Sequence, residues 1–291
     1  MKRLMVLFFT VLFLLGCATG GMKTAPEERE TISVINKAAA QEEPALKTMI
    51  MDVPLLQKES RFFRDGSLDS YTLFTYNGAG NLIREEFYDG SGTIRSSSEY
   101  LLEQELPVRK DHRDAKGLLT GYVVYGYDSS NRLIREEDFN EKQEPQLSSE
   151  YQYSREGLKT RWTVRDGRGT ILSYVVYNYH DGRNIKNELY GGDEKVRNVF
   201  EKQYDGSGML VKEVSLFSSG EVEKITEYVY RDGYPVKEEH FNKAGGLERR
   251  YLFENDQHGS PLRISLENNR GIVLETVERE YSYIQKEIVV K

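Results

Sequence analysis

Four histidines, His112, His180, His240 and His258, are the side chains of this 291-residue chain best suited to general-base or metal chemistry. Their spacing argues against a shared centre. His112 and His240 hold equivalent places in a repeat set out below, five units apart, and ten strands at about 4.8 Å would separate them by roughly 48 Å in a flat sheet. His180 and His258 fall in turn sequences, where a solvated imidazole is sufficient explanation. The adjacent carboxylates Glu85-Glu86, Glu136-Glu137 and Glu238-Glu239 have the composition of acid–base pairs. Successive residues of a strand point to opposite faces, so each reads better as half of a cross-strand charge pair. The Asp-Gly turns lack the alternating oxygen ligands of an EF-hand loop. No Gly-x-Ser-x-Gly elbow, His-Glu-x-x-His helix or phosphate loop occurs. No catalytic residue, metal site or cofactor is expected from this inventory, and the reading is of a non-enzyme.

What remains is aromatic. Tyr125, Tyr127, Tyr151, Tyr153, Tyr177, Tyr179, Tyr228 and Tyr230 come in pairs two residues apart. Such rows offer rigid area for stacking on sugar rings or gripping a peptide, or they pack on one another with their hydroxyls in water. These eight are the candidate binding face.

The element that positions them is a repeat. The phrase Leu-Ile-Arg-Glu-Glu at 82–86 returns at 133–137, and alignment on it gives units starting at Leu56, Leu82, Pro107, Leu133, Lys159, Asn184, Leu210, Pro235 and Pro261. Successive starts are 25 or 26 residues apart. The third position is always Lys or Arg. The eleventh is glycine except at Gln143 and Glu194, and each unit closes on Tyr or Phe. A short run, a Gly-containing turn, a second run rich in Tyr, Val and Thr, and another polar turn describe a β-hairpin. The fold expected is all-β: a repetitive antiparallel meander of about nine hairpins in a twisted, coiled sheet, because strands twist and eighteen of them cannot leave an apolar face wet. The fourth unit, with Gln143 and Pro145, is expected to be an irregular loop. A turn centred on positions nine and ten sets Val108 against Val123, Ile185 against Phe200 and Val236 against Tyr251. The closing aromatics share that face, and the basic row and its acidic neighbours take the other.

Met1-Lys2-Arg3 precede an apolar run from Leu4 to Leu15, shorter than the roughly 18–20 residues that span a bilayer, which reads as an export signal. Leu14-Leu15-Gly16-Cys17 resembles the lipobox of bacterial lipoproteins. The resemblance implies cleavage after residue 16 and acylation of Cys17, the only cysteine. Several acyl chains would fix the protein to a membrane. Ala18, where that family's inner-membrane proteins carry Asp, implies the outer membrane. Residues 17–55 read as a lipidated tether, 56–283 as the repeat domain and 284–291 as a tail. With 40 basic against 47 acidic residues, nucleic acid is not an expected partner.

Tyr76-Asn77-Gly78-Ala79-Gly80-Asn81-Leu82, Tyr127-Asp128-Ser129-Ser130-Asn131-Arg132-Leu133 and Tyr204-Asp205-Gly206-Ser207-Gly208 resemble the YD repeats, also called RHS repeats. In large members of that family the hairpins spiral into a shell around a toxin fragment. The resemblance implies strand-turn-strand geometry here, over about residues 56–283. The function expected is a membrane-anchored envelope module that binds or scaffolds a protein, glycan or envelope polymer. A cell-envelope enzyme would instead concentrate departures from the repeat in one pocket, with the fourth unit and Trp162 the places to look. A structural spacer would have no concave surface.

Overall fold

A computed structural model describes residues 47–290. The expected export signal, Cys17 and the tether as far as residue 46 lie outside the described residues. The chain forms eighteen strands in sequence order. The first six are β1 (Lys47–Phe63), β2 (Leu68–Tyr76), β3 (Leu82–Asp89), β4 (Ile94–Glu103), β5 (Leu106–Asp114) and β6 (Leu119–Tyr127). Then come β7 (Leu133–Asn140), β8 (Pro145–Tyr153), β9 (Lys159–Asp166), β10 (Ile171–His180), β11 (Arg183–Gly191) and β12 (Val196–Tyr204). The last are β13 (Leu210–Phe217), β14 (Val222–Arg231), β15 (Tyr234–Asn242), β16 (Leu247–Asn255), β17 (Pro261–Asn268) and β18 (Val273–Val290). Each pairs antiparallel with its sequence neighbours, and β1 pairs with β18 as well as with β2. The sheet is therefore a closed barrel and not the open coiled sheet expected from the repeat. Closure leaves no unpaired strand edge, which a meander of this length would otherwise present at both ends.

The turns explain the hairpins. At the tip of the third unit Gly117 N–H donates to Asp114 C=O, Asp114 N–H donates to Leu118 C=O, and Gly117 has φ 79°. Gln143 and Glu194, the two non-glycines at this position, adopt the same left-handed backbone at φ 66° and 61°. The fourth unit is thus a regular hairpin, not the expected loop: Asn140 caps the turn through Lys142 and Glu144 N–H. A bulge beside each tip, as between His112 and Arg113, moves the pairing by two residues. Val123 therefore faces Lys110, Phe200 faces Asn187 and Tyr251 faces Glu238, instead of Val108, Ile185 and Val236. A shift of two keeps parity, so the faces are those the sequence implies.

Two segments expected outside the sheet belong to strands. Residues 47–55 and 284–290 pair with each other as the extension of the β1–β18 seam, for example Val53 with Ile284.

Register fixes the geometry of the ring. Lys58 pairs with Leu73 and Leu73 with Glu86, so the pairing climbs from the third position of one unit to the fifth of the next. The seam does the same: Arg263 pairs with Glu278, and Glu278 with Ser60. A climb of about 6.6 Å over two strand spacings of about 9.6 Å tilts the strands by roughly 35°. The ring then measures roughly 100 Å around, in the range of barrels that hold a channel. Its own side chains do not fill it. Among the described residues Leu55, 9% exposed, is the one buried hydrophobic side chain.

Candidate functional site

The basic side chains of the two faces differ in enclosure. On the face of the repeat's third position, Arg84 and Glu99 side chains are 41% and 42% exposed, and Arg135 is 52%. On the face of the closing tyrosines, Lys110 is 19% and Lys202 11% exposed. A concave wall crowds its side chains and a convex one spreads them, so the tyrosine face is the lumen. The outer face is the charged lattice anticipated from sequence: Arg84–Glu86 at 2.8 Å, Arg109–Asp111 at 2.5 Å, Arg135–Glu137 at 2.7 Å, Lys186–Glu188 at 2.7 Å and Lys237–Glu239 at 2.8 Å. Between these ion pairs lie stacked cross-strand rings, Tyr71–Tyr88, Tyr122–Phe139 and Tyr174–Tyr190, with centroids 4.8, 4.9 and 4.7 Å apart. Charges of this density on the outside oppose a lipid-facing wall.

Inside, position nineteen of each unit pairs with position four of the next. The nine pairs are Phe74–Glu85, Tyr100–Lys110, Tyr125–Glu136, Tyr151–Trp162, Tyr177–Asn187, Lys202–Glu213, Tyr228–Glu238, Phe253–Ile264 and Arg279–Glu59. Because the seam carries the same stagger as every hairpin, equivalent positions lie at one level, and these pairs form a belt around the lumen.

The eight expected tyrosines all lie on this inner face, in two rows with different duties. Those nearer the Tyr-Asp rim are structural. Tyr127 donates to Pro107 C=O at 2.8 Å, Tyr153 to Leu133 C=O at 2.8 Å and Tyr179 to Lys159 C=O at 2.9 Å, each twenty residues back. Asn255 makes the same bond to Pro235 C=O at 2.8 Å. Tyr230 keeps the row's position without such a bond among the described residues. The belt row is Tyr125, Tyr151, Tyr177 and Tyr228. Tyr151 donates to Glu136, whereas Tyr125, Tyr177 and Tyr228 carry no side-chain hydrogen bond among the described residues. Burial raises the pKa of all four, that of Tyr177 to about 12, so each hydroxyl holds its proton and can donate.

Sequence reasoning missed the ionisable members of the belt, because it assigned charge to the outer face. Glu85 accepts from Tyr100 at 2.9 Å and pairs with Lys110 at 2.8 Å. Arg279 pairs with Glu59 at 2.9 Å. Burial raises the Glu213 carboxyl and lowers the Lys202 ammonium, each opposed by its partner. The signal was present in the repeat, since position four is Glu or Lys in six of the nine units.

His112 and His240 are on the inner face at equivalent places, and His258 is in a turn, whereas His180, expected in a turn, ends β10 opposite Arg183. His240, 6% exposed, meets Glu238 Oε1 at 2.6 Å and Lys224 Nζ at 3.4 Å. His112 Nδ1 lies 3.0 Å from Ser98 Oγ, and burial, then the Lys110 charge, lowers its pKa. A hollow of about 170 Å³ opens beside it, lined by Thr72, Glu85, Phe87, Ser96, Ser97 and Ser98. Among the described residues no group of His, Asp and Glu is arranged to hold a metal ion.

No protein-family model and no curated protein matches the chain. Among solved structures it is similar to a porin-like protein of Bacteroides uniformis, with 9% identity over 78% of this chain and 98% of that one and a TM-score of 0.44. A porin-like protein of Bacteroides vulgatus gives 12% identity, the same two coverages and a TM-score of 0.33. The TcdB2-TccC3 structure gives 15% identity and a TM-score of 0.33, with 75% of this chain covering 15% of that one.

Proposed function

We propose that this protein is a non-catalytic binding module of the bacterial envelope, acylated at Cys17, that receives an elongated partner in the lumen of its barrel. The observation that carries the reading is the belt. A closed wall without a hydrophobic core presents rigid aromatic area inward, with the hydroxyls of Tyr125, Tyr177 and Tyr228 bearing no side-chain hydrogen bond. Tyrosine supplies contact area at low entropic cost and keeps a polar tip for the partner. The lipobox-like Leu14-Leu15-Gly16-Cys17 and Ala18 support the outer membrane as location. The test uses the Cys17→Ser form, so that lipid does not mask the result. It should co-sediment with one envelope fraction, sacculi or outer-membrane fragments, and Tyr177→Ala with Tyr228→Ala should abolish this. Equal retention of the double variant, or no retention of either, would refute the lumen as binding surface.

The Ser98–His112 contact favours a second reading, an envelope hydrolase with a lumenal nucleophile. A neutral imidazole 3.0 Å from a serine oxygen is the geometry of a nucleophile and its base. Labelling of Ser98 by a fluorophosphonate, lost in His112→Ala, would establish that reading, and no labelling would remove it.

A further inference from the structure

The belt lacks charge at two places. Position four is Glu or Lys at Glu59, Glu85, Lys110, Glu136, Glu213 and Glu238, but Ile264, opposite Phe253, occupies it in the ninth unit, and Trp162 and Asn187 occupy it in the fifth and sixth. Their partners at position nineteen, Tyr151 and Tyr177, are uncharged too, so two adjacent belt pairs form a neutral, aromatic patch on β8 to β11. The indole ring of Trp162 stacks on Tyr151 with centroids 6.3 Å apart and planes at 15°.

The same patch holds two buried polar atoms without partners, Trp162 Nε1 and Asn187 Oδ1. Asn187 is only 7% exposed. A buried donor or acceptor left unmade costs stability, and such groups in a native wall call for a partner the protein does not itself supply. Here a donor and an acceptor stand on β9 and β11, with the Tyr177 hydroxyl on the strand between them.

We infer that the Trp162–Asn187 patch is a subsite for an uncharged carbohydrate unit, resting on the reading of the lumen as a binding surface. Sugar hydroxyls both donate and accept, so separate hydroxyls of a saccharide reaching across β9 to β11 can serve the indole N–H and the amide oxygen, and the C–H face of a pyranose can lie on the Trp162 ring. An anionic ligand is disfavoured, since Lys159 is committed over the Tyr151 ring at 4.5 Å and Lys202 stands beside Glu213 at 3.9 Å. A peptide that recognises backbone needs a free strand edge, which a closed sheet lacks. Both partnerless atoms are shut off from solvent by their neighbours, so occupancy requires a neighbouring side chain to move.

That motion has a built-in reporter, because Trp162 is the only tryptophan. The full chain is titrated with malto-, cello- and chitohexaose, and with hexagalacturonate and hexalysine as charged controls, while indole emission is followed. The subsite predicts a saturable change with at least one neutral hexasaccharide and none with either control. In calorimetry Asn187→Leu should weaken that binding about tenfold, and Trp162→Phe, which keeps an aromatic ring but loses the N–H and part of the stacking area, should weaken it severalfold. An emission change confined to a charged control overturns the subsite, as does silence with all three neutral sugars. If envelope material still binds in a Tyr228-dependent way while Trp162 emission and Asn187→Leu are silent, the subsite fails and the lumen reading stands. If nothing binds in either assay, both fail.

Discussion

At the scale of single residues, the repeat spends its conspicuous side chains on architecture before it leaves any for binding. The rim tyrosines show this best. Tyr127 ties its ring to a carbonyl twenty residues back, whereas the hydroxyl of Tyr125, two residues away on the same face, has no side-chain hydrogen bond among the described residues. Tyr127→Phe should therefore lower unfolding stability by about 1 kcal/mol in urea titration, and Tyr125→Phe should leave it nearly unchanged. The aspartates of the turns behave likewise. In Asp89 the Ser91 hydroxyl and the Thr93 N–H hold the carboxyl down at about 2, against an ordinary 3.8. A depressed folded value means that the contribution is complete above the ordinary value and is lost as pH falls through about 2. Asn140, Asn242 and Asn268 cap equivalent turns without a titrating group. Asp89→Asn should accordingly flatten the fall of melting temperature between pH 4 and pH 2, and an unchanged slope would show that this cap does not contribute. The position of these residues was legible in the sequence because Tyr-Asp and Gly recur at fixed offsets. The duty of each tyrosine was not, since twenty residues of separation become a contact only when the hairpin register is known.

At the scale of the element, the eighteen strands and both kinds of turn follow from spacing, and what failed was arithmetic at the tips. A simple turn at positions nine and ten sets Val108 against Val123, whereas the bulge after a left-handed residue brings Lys110 there. That two-residue change leaves Lys110, Glu136 and Glu213 on the same face and alters only the residue each one meets across the strands. It also hid the regularity of the fourth unit, because a glycine-less tip looks like a loop until Gln143 is seen at φ 66°. The left-handed conformation costs a non-glycine residue about 1 kcal/mol or more. Gln143→Gly should thus raise stability by up to about 1 kcal/mol, read as a higher urea midpoint with unchanged slope. A lower midpoint would mean that the Gln143 side chain or reduced chain entropy outweighs backbone strain at this turn.

At the scale of the whole sheet, closure was the property the residues concealed. Every unit looks alike, so nothing in the text of the first or last marks it as an edge or as half of a seam. Closure depends on the number of hairpins and on the climb of two residues that each contributes, and the climb comes from bulges. Its consequences carry the functional reading: no free edge, an inside distinct from an outside, and a belt of facing pairs around the lumen. The seam can be tested by a disulfide. Ser60 and Glu278 are direct partners across β1 and β18, within the reach of a cystine. In the Cys17→Ser background, Ser60→Cys with Glu278→Cys should oxidise within one chain to near completion, giving a faster-migrating monomer on non-reducing gels and a higher melting temperature. In an open sheet the two positions sit on opposite edges, roughly 80 Å apart. Free thiols or intermolecular dimers alone would then contradict the closed barrel and the lumen built on it.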